Sequence, residues 1–88
     1  FEQPVRGIML ISIEGRGVER IVARLRGMPQ VTAIHTTNGK WDLVAELATD
    51  TLSTLDGVLS RIRQIDGISA SETNLYLATR RSTDRSVR

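Results

Sequence analysis

The feature that most restricts how this chain of 88 residues can fold is a pattern it carries twice. At an offset of 37 residues, Val18, Ile21, Val22 and Leu25 return as Leu55, Val58, Leu59 and Ile62. Each set falls at i, i+3, i+4 and i+7, the apolar stripe of an amphipathic helix. Arg24 and Arg26 return as Arg61 and Arg63, Met28 as Ile65, and Val31 as Ile68. A helix with two arginines near its end, leading into a strand, therefore occurs twice. Before each helix lies another extended segment. The first, residues 5–14, has a centre (Ile8 to Ile13) that is apolar on both alternating faces, as in a strand covered from both sides. The order β-α-β, twice over, predicts a ferredoxin-like α+β fold, βαββαβ, with a four-stranded antiparallel sheet and two helices on one face.

Punctuation agrees with that order. Gly15-Arg16-Gly17 breaks the first strand, and Gly27 ends the first helix. Asp50 or Thr51 can cap the second helix, whose stripe reads Leu52, Leu55, Val58, Leu59 and Ile62. Asp66-Gly67 closes it, and a last strand is expected over residues 69–79. The two halves meet at Asn38-Gly39. This pair predicts a two-residue type I′ turn between strands 31–37 and 41–48, because Asn tolerates positive φ and Gly adopts it freely. The tip then presents Gly39, Lys40, Trp41 and Asp42.

Two helices cover one face of a four-stranded sheet and leave the other bare. With Ile, Leu and Val side chains on both faces, the bare side would be a large exposed apolar patch. A second copy packed face to face about a two-fold axis covers it, so the pattern predicts a homodimer of the dimeric α+β barrel kind.

Composition narrows the function classes. The chain has no cysteine, which removes disulfides and thiolate chemistry. It has no apolar run of membrane-spanning length and no signal-peptide pattern, so a cytoplasmic location and no membrane partner are expected. The net charge of +2 suggests nucleic acid until its distribution is examined. Residues 80–88 hold Arg80, Arg81, Arg85 and Arg88 against Asp84, or +3, which leaves −1 on residues 1–79. A basic tail on a near-neutral body is not the footprint of a dedicated nucleic-acid-binding fold. The folded domain is accordingly set at residues 1–79, and the tail at 80–88 is expected to be disordered.

Catalytic material is sparse. His35 is the only histidine and lies within a strand, where a local hydrogen bond is its ordinary role. No Cys/His cluster suggests a metal, no glycine-rich loop followed by lysine suggests phosphate, and no cofactor is implied. Asp42 and Glu46 lie about 13 Å apart along a strand, too far to act as a coupled carboxylate pair. At the tip, the only tryptophan precedes Asp42. The acid could answer the ammonium of a small zwitterion, with backbone N–H groups near Gly39 answering its carboxylate. Equally, Trp41 could pack the hairpin and Asp42 cap a turn.

Several segments together resemble the effector-binding (RAM) domain of Lrp/AsnC transcription regulators. Thr37-Asn38-Gly39-Lys40-Trp41-Asp42-Leu43 is similar to that family's Thr-Gly-x-aromatic-Asp-hydrophobic run. Arg63-Gln64-Ile65-Asp66-Gly67-Ile68 is similar to its Leu-Pro-Gly-Val exit, and Ser71-Glu72-Thr73 to its Thr-x-Thr strand. Asn38 is inserted before the glycine, Asp66 replaces a proline, and Ser71 stands at the first threonine position. The resemblance implies a non-enzymatic domain that binds an amino acid or related effector where two dimers meet and often assembles into octameric rings. It implies a ligand site made of Gly39, Trp41 and Asp42 from one subunit and Ser71 and Thr73 from a neighbour. DNA would be bound only through an N-terminal helix-turn-helix domain. A chain starting at Phe1 is then expected to be either an excised C-terminal half or a stand-alone version. Two other readings share this element order: a small dimeric α+β barrel enzyme of monooxygenase or isomerase type, with His35 as acid or base, and an ACT-like module, which lacks the Gly-x-Trp-Asp loop.

Overall fold

The strand that is apolar on both faces, β1 (Val5–Ile13), takes an inner place in the sheet. The computed structural model describes residues 4–81 and gives the order β1, α1 (Val18–Arg26), β2 (Val31–Thr36), β3 (Leu43–Thr49), α2 (Leu52–Arg63), β4 (Ile68–Leu75). The strands lie in the order β2-β3-β1-β4, all neighbours antiparallel, which is the expected ferredoxin-like topology.

Alternation along β1 sorts the sheet into its two sides. Met9 and Ile11 point to the helices and are fully buried, facing Ala45 and Leu43 of β3 on the same side. Ile21 and Leu25 of α1 and Leu55, Val58, Leu59 and Ile62 of α2 close over them in one core. Leu52 does not belong to that core. It stands at the first turn of α2 and is 62% exposed, because Thr51 is the N-cap and starts the helix before it reaches the sheet. The Thr51 hydroxyl accepts the Thr54 N–H at 3.1 Å.

The repeat is visible in the backbone bonds. At the end of α1, Gly27 donates to Arg24, Met28 to Leu25, and Val31 to Met28. Moved on by 37 residues, the same three bonds recur: Gln64 to Arg61, Ile65 to Ile62, and Ile68 to Ile65.

At Gly7 the β1 backbone lies tight against β4. A Cβ there would run into the Asn74 carbonyl oxygen and lie 3.0 Å from the Leu75 Cα. Gly67, at φ +102°, turns the chain into β4, and its carbonyl accepts the Glu14 N–H at 2.9 Å.

Two boundaries differ from expectation. Asn38-Gly39 is not a type I′ turn: among the described residues only Gly15 and Gly67 have positive φ. Thr36 pairs with Leu43, and the Thr37 N–H reaches the Asp42 carbonyl at 3.1 Å, so four residues rather than two form the tip. β4 ends at Leu75 instead of 79. Tyr76 N–H donates to the Arg6 carbonyl at 2.8 Å, and the next bonding position on that side of β1 is Pro4, which has no N–H. Leu77 is 97% exposed. Of the proposed tail, Arg80 and Arg81 carry no regular structure, and residues 82–88 lie outside the described residues.

Among the described residues, no helix covers the second face of the sheet. Ile8 and Leu10 of β1, Val44 and Ala48 of β3, and Ala33 of β2 are half-buried there. His35 and Glu46 lie beside them, 3.0 Å apart.

Candidate functional site

The tip of the β2–β3 connection is built from a threonine at its start and an aspartate at its end. The Thr37 N–H bonds to the Asp42 carbonyl, and its hydroxyl donates to the Trp41 carbonyl. Asp42 then fastens this closed tip to β1. Its N–H donates to the Ile11 carbonyl at 2.8 Å, and its Oδ2 accepts the Ile13 N–H at 2.7 Å. One acid therefore satisfies two main-chain groups at the end of an inner strand, where the regular ladder stops. Trp41 is half-buried, with Lys40 Nζ 5.2 Å from its ring centroid. Gly39 is exposed, and a Cβ on it would meet nothing within 4 Å.

Ser71 and Thr73 lie on β4, facing Ile11 and Met9 across the ladder and therefore on the helix side of the sheet. Ser71 is half-buried and lines a cavity of about 170 Å³ with Arg63 and Ile68. The Thr73 hydroxyl is buried and has no hydrogen-bond partner among the described residues. Gly39, Trp41 and Asp42 are thus adjacent at one place, and Ser71 and Thr73 at another, with β1 between them. At the usual strand separation this puts β3, which begins just after Asp42, about 10 Å from β4 within one chain.

Two features of this region are not read from the sequence alone. Arg63 stands out there only as the repeat of Arg26, yet in the fold it lines the Ser71 cavity. The repeat does hold its signal, since it sets an arginine at the end of both helices before an edge strand. The attachment of Asp42 to β1 has no sequence signal, since Ile13 is 29 residues away.

His35 lies apart from all of this, on the bare sheet face. Its Nε2 meets Glu46 Oε2 at 3.0 Å, a local pair of the kind expected of a strand histidine. Among the described residues, no group of three His, Cys, Asp or Glu side chains is disposed to hold a metal ion. No helix there is long and apolar enough to cross a membrane.

Comparison with known proteins gives a consistent set of relatives. The family model for the Lrp/AsnC ligand binding domain matches residues 6–85. The HTH-type transcriptional regulator FL11 of Pyrococcus horikoshii is 23% identical over 75 residues, covering 85% of this chain and 50% of that regulator. The chain thus spans about half the length of this curated relative. Among solved structures, TTHA0845 from Thermus thermophilus superposes with a TM-score of 0.82 at 25% identity, covering 89% of this chain and 99% of that one. The transcriptional regulator NMB0573 of Neisseria meningitidis, solved as an L-Met complex, shares the fold with a TM-score of 0.79 at 14% identity, covering 92% of this chain and 55% of that one.

Proposed function

The chain belongs to the Lrp/AsnC ligand-binding domain family, and from that premise we propose that it binds a small amino-acid-like effector at a seam between copies of itself. Gly39, Trp41 and Asp42 of one copy would meet Ser71 and Thr73 of another. The observation that carries this reading is the division of the site by β1. Within one chain the tip and the β4 residues stand on opposite flanks of that strand, so a second copy is the simplest way to bring them together. A fold neighbour that holds L-Met fits an amino-acid ligand.

Association follows from the bare face. Ile8, Leu10, Val44 and Ala48 form an apolar centre, and a copy of the same sheet packed over it completes a homodimer. Dimers would then join, up to octameric rings, at the seams that hold the effector. In a full-length regulator DNA would be bound by a separate helix-turn-helix domain, and the protein would work in the cytoplasm. The folded domain would be residues 1–79, with 80–88 a basic tail. The domain itself would be a regulator and not an enzyme, which suits relatives that are transcriptional regulators.

A thermal-shift screen of the 88-residue chain against the twenty amino acids tests the effector directly. A ligand that binds only the folded state raises its melting temperature. One or a few amino acids should do so, with the rise growing with concentration. A flat response to all twenty at millimolar concentration would overturn the assignment.

A further inference from the structure

The two edge strands, β2 and β4, carry the same construction, and only β4 has so far been given a role. At the edge of β2 lies a cavity of about 320 Å³, walled by Val22 and Arg26 of α1 and by β2. Every residue of the smaller Ser71 cavity has its counterpart here 37 places earlier: Arg63 answers to Arg26, and residues 68–71 to 31–34. Ser71 and Thr73 themselves correspond to Ile34 and Thr36, both of which line the larger cavity.

The main chain agrees. Because Thr37 and Tyr76 bond inward to β3 and β1, ladder alternation turns the main-chain groups of Ile34 and Thr36 outward, as it does those of Ser71 and Thr73. In both places an arginine from the last helical turn stands over a strand edge whose outward N–H and C=O groups are open among the described residues. Among the described residues Arg26 makes no ion pair.

We infer that the α1–β2 edge is a second small-molecule site, built for an aliphatic carboxylate. Arg26 supplies a cation for the carboxylate, with planar donors suited to pairing it. Thr36 adds a hydroxyl, while Val22, Val31 and Ile34 supply apolar walls for a branched hydrocarbon chain. None of the lining residues is an acid, so no carboxylate in this cavity pairs with an ammonium group. That separates it from the tip, where Asp42 is the acid. The β4 cavity, with serine in place of Ile34, is smaller and more polar, so the repeat has kept the anion-binding parts and changed the walls.

The probe that distinguishes the two sites is 4-methylpentanoate, which has the carboxylate and branched chain of leucine without its ammonium. Titrated at millimolar concentration into the isotope-labelled chain, it should shift the amide signals of Ile34 and Thr36. Arg26→Gln should weaken that binding by about tenfold or more, as loss of a charge-assisted bond requires. Arg26→Lys, which keeps the charge, should retain more of it, and Asp42→Asn should leave it unchanged. Circular dichroism confirms that the variants fold; Arg26 is exposed, and both replacements suit a helix. No response at Ile34 and Thr36, or equal affinity in wild type and Arg26→Gln, would overturn the inference. So would equal losses in the lysine and glutamine variants, which would make Arg26 a wall rather than an anion partner. A failure of the amino-acid screen with 4-methylpentanoate still binding would discard the seam and leave this site standing.

Discussion

Asp42 and Ile13 are 29 residues apart, yet the Asp42 Oδ2 accepts the Ile13 N–H at 2.7 Å and ties the β2–β3 tip to the end of β1. The same residue's N–H bonds to the Ile11 carbonyl. Asp42 therefore has a structural task whether or not it also meets a ligand, and the two tasks call for different substitutions.

Asp42→Ala removes the acceptor and leaves the Ile13 N–H to water. Because the site is exposed, the loss of folding stability should be about 1 kcal/mol in a denaturant melt. Asp42→Asn keeps an acceptor oxygen and removes the charge, so it should melt closer to wild type. Its effector affinity, measured by calorimetry, should fall by roughly tenfold to more than a hundredfold, the range of a charge-assisted hydrogen bond. Normal binding by Asp42→Asn would confine the acid to fastening the tip.

Leu10 and Ile11 are neighbours that should report on different events. Ile11 is fully buried beneath the helices, so Ile11→Asp places an uncompensated charge in the core and should abolish folding. Leu10 points to the bare face. Leu10→Asp should keep the helical circular dichroism of wild type while light scattering shows a smaller particle. A Leu10→Asp protein that scatters like wild type would rule out sheet-to-sheet association.

A seam shared between copies predicts complementation. Asp42→Asn spoils the tip and Thr73→Val spoils β4, the latter more mildly because one neutral hydroxyl is lost at nearly constant volume. When the two variants are mixed and allowed to exchange subunits, some seams regain both wild-type halves. The mixture should bind more effector than either variant alone. Binding no better than the average of the two would mean that each site lies within one chain.

At Gly7 the close approach of β1 to β4 leaves no room for a side chain. Gly7→Ala should destabilise the fold by about 1–3 kcal/mol, as overpacking does. The change should be local first: hydrogen exchange at the Tyr76 amide, bonded to Arg6, should accelerate more than at amides of β3.

Much of this architecture is written in residue type and spacing. The apolar stripe at Val18, Ile21, Val22 and Leu25, returning at Leu55, Val58, Leu59 and Ile62, suffices for two helices that bury one side. The double-sided apolar run of β1 suffices for an inner strand. These are local periodicities, and burial rewards them wherever the helix and strand geometries hold. The turn at Asn38-Gly39 is another matter. Sliding β2 along β3 by two residues leaves every side chain on its original face, so alternation cannot distinguish a two-residue tip from the four-residue one that forms. Long-range bonds to Ile11 and Ile13 accompany the longer tip, and they depend on where β1 lies.

The candidate site divides in the same way. Gly39, Trp41 and Asp42 are consecutive or nearly so, and their proximity is a property of the chain. Ser71 and Thr73 are brought level with Ile11 and Met9 only by pairing across the sheet, and Arg63 joins Ser71 only because α2 packs over it. By itself the sequence determined which segments are helix or strand, that they repeat, and that the chain reverses near Asn38-Gly39. The tertiary structure decided the strand register, the separation of the tip from β4 by the width of one strand, and the common construction of the two sheet edges. Those depend on contacts between residues tens of positions apart, whose geometry is set by the packing of the whole core rather than by any window of sequence.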